Sequence, residues 1–165
     1  MQTLNPMYTK FSIAKFKEVK EMSEETMAMT ADILMDGTVI GRATNDGHGE
    51  CNRYYFNDRG CEFNTAFEVA AKECGLEVDC FFARLINAFD IKKTLTRWAK
   101  SKNTYVKMEG AGRSWATYKV PYSPEVKAKI NPSDGRVIAY FLNEEFDRAV
   151  NEEIAYTMAE LDAAK

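Results

Sequence analysis

Met27, Met29, Ala31, Ile33 and Met35 fall at every second position up to Asp36-Gly37, and no other stretch limits the fold so tightly. A period of two lays these side chains on one face of an extended strand, with Ala28, Thr30, Asp32 and Leu34 on the other. Asp-Gly supplies the two positive-φ residues of a tight hairpin turn, so Thr38-Val39-Ile40-Gly41-Arg42-Ala43 returns as the partner strand. The even spacing of the methionines assigns them to core filling.

Around this hairpin the pattern extends in both directions. Lys10 to Val19 reads as a strand whose alternation breaks once, as a bulge would make it do, and Ser23-Glu24-Glu25 links it to the hairpin. Arg53-Tyr54-Tyr55-Phe56 is aromatic enough to close a four-stranded antiparallel meander, which Asn57-Asp58-Arg59-Gly60 ends. Phe63, Phe67, Ala70, Ala71 and Cys74 recur at helical spacing up to Gly75. Asp79 then stands as N-cap of a second helix through about Lys100, with Phe82, Leu85, Ile86, Phe89, Leu95 and Trp98 inward.

The chain next returns to strands at Thr104 to Met108 and Ser114 to Val120, joined by Glu109-Gly110-Ala111-Gly112-Arg113. Ser123-Pro124-Glu125 opens a short helix to about Ile130. Asn131-Pro132-Ser133-Asp134-Gly135 is a turn cluster, and Val137 to Leu142 reads as a buried strand. Asn143 caps a last amphipathic helix with Phe146, Ala149, Val150, Ile154, Thr157, Met158 and Leu161 in one stripe. The class expected is α+β, an N-terminal antiparallel meander with segregated helices, in one domain of residues 1–165 whose two lobes meet near Gly75.

Charge narrows the functional classes. A net charge of −3 over 165 residues argues against a general nucleic-acid coat or a membrane-surface protein, and no apolar run approaches the ~20 residues of a bilayer span. The four cysteines, Cys51, Cys61, Cys74 and Cys80, form no CxxC pair, and no charged segment followed by an apolar one opens the chain. Reduced thiols in a cytoplasm are the expectation, with Cys74 and Cys80 as buried small hydrophobes.

Two segments could carry chemistry. Asn45-Asp46-Gly47-His48-Gly49 holds the only histidine, and its close glycines could cradle an anion with backbone N–H groups. Neither GxxxxGK[ST] nor GxGxxG is present, and turn chemistry alone explains each residue type. Zinc would find His48, Cys51 and Cys61 with Asp46 or Glu50, but at no recognised finger spacing. For a Cys51–His48 nucleophilic pair, closeness in sequence establishes neither hydrogen-bond reach nor an orienting third group, and metal-dependent hydrolysis would need Asp46, His48 and Glu50 to converge. No catalytic residues, metal ligands or cofactor are assigned.

The second segment is cationic. From Lys92 to Lys119 eight basic residues face Glu109 alone, a net of +7 in a chain that totals −3. Lys92, Lys93, Arg97, Lys100 and Arg113 are interleaved with Trp98 and Trp115, a composition able to track phosphates and stack bases. The plainer reading is a solvated face above core aromatics. Asn143 to Lys165 carries −5, so its acidic face could pair with the protein's own basic segment, within one chain or across a homodimer.

Asp36-Gly37-Thr38-Val39-Ile40-Gly41, Asn45-Asp46-Gly47-His48-Gly49 and Arg53-Tyr54-Tyr55-Phe56 resemble a group of small bacteriophage and prophage accessory proteins, as do Lys119-Val120-Pro121-Tyr122 and Leu142-Asn143-Glu144 more weakly. The resemblance implies a phage accessory protein acting in the bacterial host cytoplasm, and it brings no catalytic residues with it. The expected function is non-enzymatic binding of a host or phage protein, to inhibit or modulate it in host takeover or anti-defence. The alternative is a nucleotide- or nucleic-acid-binding module using residues 92–119.

Overall fold

Asp36 and Gly37 both take positive φ, 49° and 80°, and Met35 pairs directly with Thr38, so the turn is the two-residue hairpin connection expected of Asp-Gly. The structure is a computed structural model that describes residues 3–58, 61–132 and 135–164. It divides into two compact units, Asn5–Phe89 and the described residues from Asp90 onward together with Thr3 and Leu4. Gly75 lies within the first.

That unit opens with a single helical turn, α1 (Met7–Lys10), followed by β1 (Phe11–Glu18), β2 (Met29–Met35), β3 (Thr38–Asn45) and β4 (Arg53–Phe56). The strands form one antiparallel sheet in the order β1-β2-β3-β4, the expected meander. The break in β1 is a bulge between Ala14 and Lys17, where Lys15 has a φ of 50°. Two helices follow, α2 (Glu62–Glu73) and α3 (Val78–Ala99), the latter running on past the boundary between the units.

Aromatic rings dominate this unit's core. Phe67 of α2 meets Phe11, Tyr54, Phe56 and Phe81 with ring centroids 5.3 to 5.8 Å apart, and Phe82 meets Tyr54 at 5.5 Å. Edge-to-face and tilted pairs of this kind add to plain area burial. Phe81 is fully buried, although the helical stripe read from sequence runs through Phe82. Cys80, one position earlier, is exposed rather than buried, as are Cys51 and Cys61, while Cys74 is half-buried. Met29 is core as expected, but Met27 lies outside β2 and is exposed.

Asp79 corrects the expected capping pattern. It sits inside the first turn of α3, where its carboxylate accepts the Tyr54 hydroxyl at 2.6 Å and the Asn52 N–H at 3.4 Å. The group that could have capped the helix instead fastens it to β4. Burial, reinforced by that carboxylate, pushes the Tyr54 hydroxyl far above its ordinary value. At α2 the N–H of Phe63 is taken by Asp58 at 2.7 Å. Arg59 and Gly60, in the breaker after β4, lie outside the described residues.

The second unit contains β5 (Thr104–Met108), β6 (Ala116–Tyr118), α4 (Pro124–Lys129), β7 (Ile138–Phe141) and α5 (Phe146–Ala163). Its three-stranded antiparallel sheet has the order β6-β5-β7. β6 is shorter than the run from Ser114 to Val120 suggested. Ser123 caps α4 by accepting the Val126 N–H at 3.2 Å. Ser133 and Asp134, in the turn cluster before β7, lie outside the described residues.

Alternation along β5 gives this sheet two unlike faces. Val106 and Met108 point one way and pack with Phe141, Tyr122 and Ile130. Lys107 points the other way, toward α5, whose buried stripe is Ala149, Val150, Ile154, Ala155 and Met158. Leu161, expected in that stripe, is exposed one turn from the helix end. Asn143 does not cap α5, which starts at Phe146; its side-chain amide donates to the Ala99 carbonyl at 2.9 Å and so closes the C-terminal end of α3. Among the described residues, no helix is long and apolar enough to cross a membrane.

Candidate functional site

In the loop after β3, Asn45 is the organiser. Its Oδ1 accepts the Gly47 N–H at 2.8 Å and the Thr26 hydroxyl at 2.9 Å, while its Nδ2 donates to the Glu50 carbonyl at 2.9 Å and Asn52 Oδ1 at 3.1 Å. The Gly47 carbonyl in turn accepts the N–H groups of Glu24, Glu25 and Thr26 at 3.0 to 3.3 Å. Gly49 donates to Thr26 Oγ1 at 3.2 Å. The N–H groups of both glycines, the ones an anion would need, are engaged within the protein.

The glycines are required by the backbone here. Gly47 has a φ of 88°, and a Cβ on it would stand 2.0 Å from the Met22 carbonyl oxygen. Around them the charged residues pair outward: His48 Nδ1 with Glu24 at 3.2 Å, and Arg53 with both Asp46 and Glu50. Asp46, His48 and Glu50 therefore do not converge, and His48 faces Glu24 instead of Cys51. Among the described residues, no three His, Cys, Asp or Glu side chains gather in a way that could hold a metal ion.

The cationic segment divides into two sets. Lys107, Arg113 and Trp115 turn toward α5 and meet there. Lys107 is buried, with its ammonium 2.8 Å from Glu153 Oε1 and 4.6 Å from the centre of the Trp115 ring. Trp115 Nε1 donates to the same carboxylate oxygen at 2.9 Å, and Arg113 reaches Glu153 Oε2 at 3.5 Å and Glu160 at 2.6 Å. A charge as buried as Lys107 is tolerated only because its partner is close and hydrogen-bonded in turn. Part of the acidic C-terminal helix thus pairs with the chain's own basic segment, an arrangement the complementary charge counts had suggested.

Trp98 lies over Tyr105 with centroids 4.7 Å apart and planes 5° from parallel, and its edge relation to Trp115 is 6.4 Å. Trp115 also meets Tyr140 edge-on at 5.8 Å. The aromatic residues proposed to stack bases are stacked on one another and on Lys107.

The other set stays outward. Lys92, Lys93, Arg97 and Lys100 are exposed along the last two turns of α3 and just past its end. At 100° per residue they occupy one stripe of about 140° around the helix. Among the described residues none of these four side chains has an ion-pair partner. Arg97 and Lys100 also complement the partial negative charge at the helix C-terminus.

Sequence reasoning did not single out Tyr140, Arg148, Glu152 and Glu153, which organise the face of the second sheet toward α5. The Tyr140 hydroxyl donates to Glu152 at 2.7 Å, and Arg148 bonds Glu152 at 2.9 Å and Glu145 at 2.8 Å while lying over the Tyr140 ring. Burial and Glu152 push the Tyr140 hydroxyl far up; burial would also raise Glu152, but the bonds from Tyr140 and Arg148 outweigh it and hold that carboxyl below its usual range. The one signal available was the run of acids on α5. Comparison with known protein families, with curated proteins and with solved structures finds no match to the chain.

Proposed function

We propose that the chain is a non-enzymatic binding protein of the phage-accessory kind, which docks on an acidic surface of a host or phage protein through Lys92, Lys93, Arg97 and Lys100. The observation that carries this reading is the asymmetry within the basic segment. Lys107 and Arg113 are neutralised by α5, whereas among the described residues the four cations of the α3 stripe have no ion-pair partner. The same geometry weighs against a single-stranded nucleic acid as the partner. Base stacking needs open aromatic faces, and one face of Trp98 is covered by Tyr105 and one of Trp115 by Lys107.

The test compares the wild-type chain with the Lys93→Glu, Arg97→Glu, Lys100→Glu triple variant as bait in bacterial lysate, beside a control reversed at Lys17 and Lys20. A stoichiometric acidic protein retained by wild type and control, and weakened by at least about tenfold (~1.4 kcal/mol) in the triple variant, is the expected result. Capture unaffected by the triple substitution overturns the assignment of the surface. A DNA or RNA duplex that binds wild type and competes the protein away overturns the assignment of the partner.

A further inference from the structure

The loop Glu109–Arg113 presents the unengaged backbone donors that the loop after β3 lacks. Gly110 and Gly112 have φ of 68° and 56°, while Ala111 between them keeps a negative φ. Such alternation turns successive N–H groups toward a common concavity, the geometry in which backbone amides hold phosphate oxygens. The N–H of Glu109 is taken by Val137 and that of Ala111 by Met108. Among the described residues, those of Gly110, Gly112 and Arg113 are taken by none. A Cβ on either glycine would meet nothing within 4 Å, so the space beside them is open.

That space is an open cleft of about 600 Å³ wholly within the second unit. Lys107, Tyr140, Arg148, Glu152 and Tyr156 line it together with residues 109–112 of the loop. Lys107 borders the cleft with its side chain buried and its ammonium held by Glu153. Glu109 and Glu152 also face the cleft, and their charge disfavours a bare polyanion. Carboxylates are instead good acceptors for hydroxyl groups. The cleft combines donors for one anionic group with acceptors for neutral O–H groups, beside two tyrosine rings.

We propose that this cleft binds a phosphorylated sugar, with its phosphate on the Gly110 and Gly112 amides and its hydroxyls toward Glu109 and Glu152. The site is separate from the cationic stripe on α3 and does not rest on that reading. The experiment is a titration of the ¹⁵N-labelled chain with ribose 5-phosphate, with inorganic phosphate and ribose as separate probes. Ribose 5-phosphate is expected to shift the amides of Gly110, Gly112 and Arg113 saturably, and to bind at least about tenfold tighter than either fragment.

Gly112→Ala places a methyl in the concavity and is expected to weaken binding at least about tenfold, leaving the other amide positions in place. Glu109→Gln, at an exposed position, removes a hydroxyl acceptor and a repelling charge together, so it is expected to tighten inorganic phosphate and to erase most of the advantage of ribose 5-phosphate over it. Equal affinity for phosphate and its sugar ester reduces the site to a plain anion site and overturns the proposal. So do shifts confined to residues 92–100, or none at concentrations up to about 10 mM.

Discussion

The two glycine loops are built from the same kinds of residue and end in opposite states. Asn45 to Gly49 turns its polar groups inward, with Gly47 serving as both donor and triple acceptor against residues 24–26. Glu109 to Arg113 leaves the N–H groups of Gly110, Gly112 and Arg113 without a partner among the described residues. The difference comes from what each loop must join. The first is clamped by the segment between β1 and β2, so its conformation is a structural requirement. The second crosses from β5 toward the short strand β6, held at Glu109 by Val137 and at Arg113 by α5, with both of its glycines beside open space. Glycine spacing alone does not mark a ligand site; what decides is where the backbone donors go.

The largest expected effect tests whether the second loop rests on a buried charge. Glu153→Ala leaves Lys107 buried without its counter-ion and also orphans Trp115 Nε1, and loss of one partner of a buried pair costs about 3–5 kcal/mol. Urea unfolding is expected to show that loss, while the Lys107→Met, Glu153→Leu double variant recovers most of it. If the single and double variants are equally destabilised, the ion pair is not what holds α5 to the sheet, and the contrast between the two units loses its basis.

Next in size is a direct exchange between the loops. Gly47→Ala forces a methyl against the Met22 carbonyl at an unfavourable φ and is expected to cost about 2–3 kcal/mol. Gly112→Ala meets only the φ penalty and is expected to cost about 1 kcal/mol. Thermal unfolding of the two variants under one buffer checks the order. Equal losses would mean that the first loop relaxes around the methyl and is not clamped as described.

The meander was legible because its signals are local. Alternation, Asp36-Gly37 and the aromatic run Arg53–Phe56 each fix geometry within a few residues of themselves. The capping roles were less so: Asp79 and Asn143 have the right chemistry for helix starts, yet each found a stronger partner far along the chain, Tyr54 and Ala99. The candidate site was legible only in part. The segment 92–119 reads as uniformly basic, and nothing in its composition separates Lys107, which β5 turns onto α5, from Lys93, which α3 turns outward. That separation depends on a pairing 46 residues apart, between Lys107 and Glu153. Arg148 and Glu152 escaped notice because a charged pair at helical spacing ordinarily means a solvated face, and here it borders a cleft.

Acid should act on both units with the same sign but through separable pairs. In the first, hydrogen bonding from Lys15, with help from Arg42, holds the Asp32 carboxyl below the usual aspartate value of 3.8. In the second, Lys127 and then Tyr122 hold Glu144 below the usual glutamate value of 4.5. Because these folded-state values are depressed, the stabilisation is fully present above the unfolded values and is lost as pH falls through them toward the folded ones. The cationic partners are solvent-exposed, and each pair contributes less than about 1 kcal/mol, so the effect is the smallest of the three. Urea midpoints followed from about pH 6 down to about pH 3 should decline below roughly pH 4.5. Lys127→Met should flatten the upper part of that decline, where Glu144 titrates, and leave the lower part, governed by Asp32. Lys15→Met should do the reverse. If either substitution changes both parts alike, the two carboxylates are coupled through the fold, and the two units do not keep their charges to themselves.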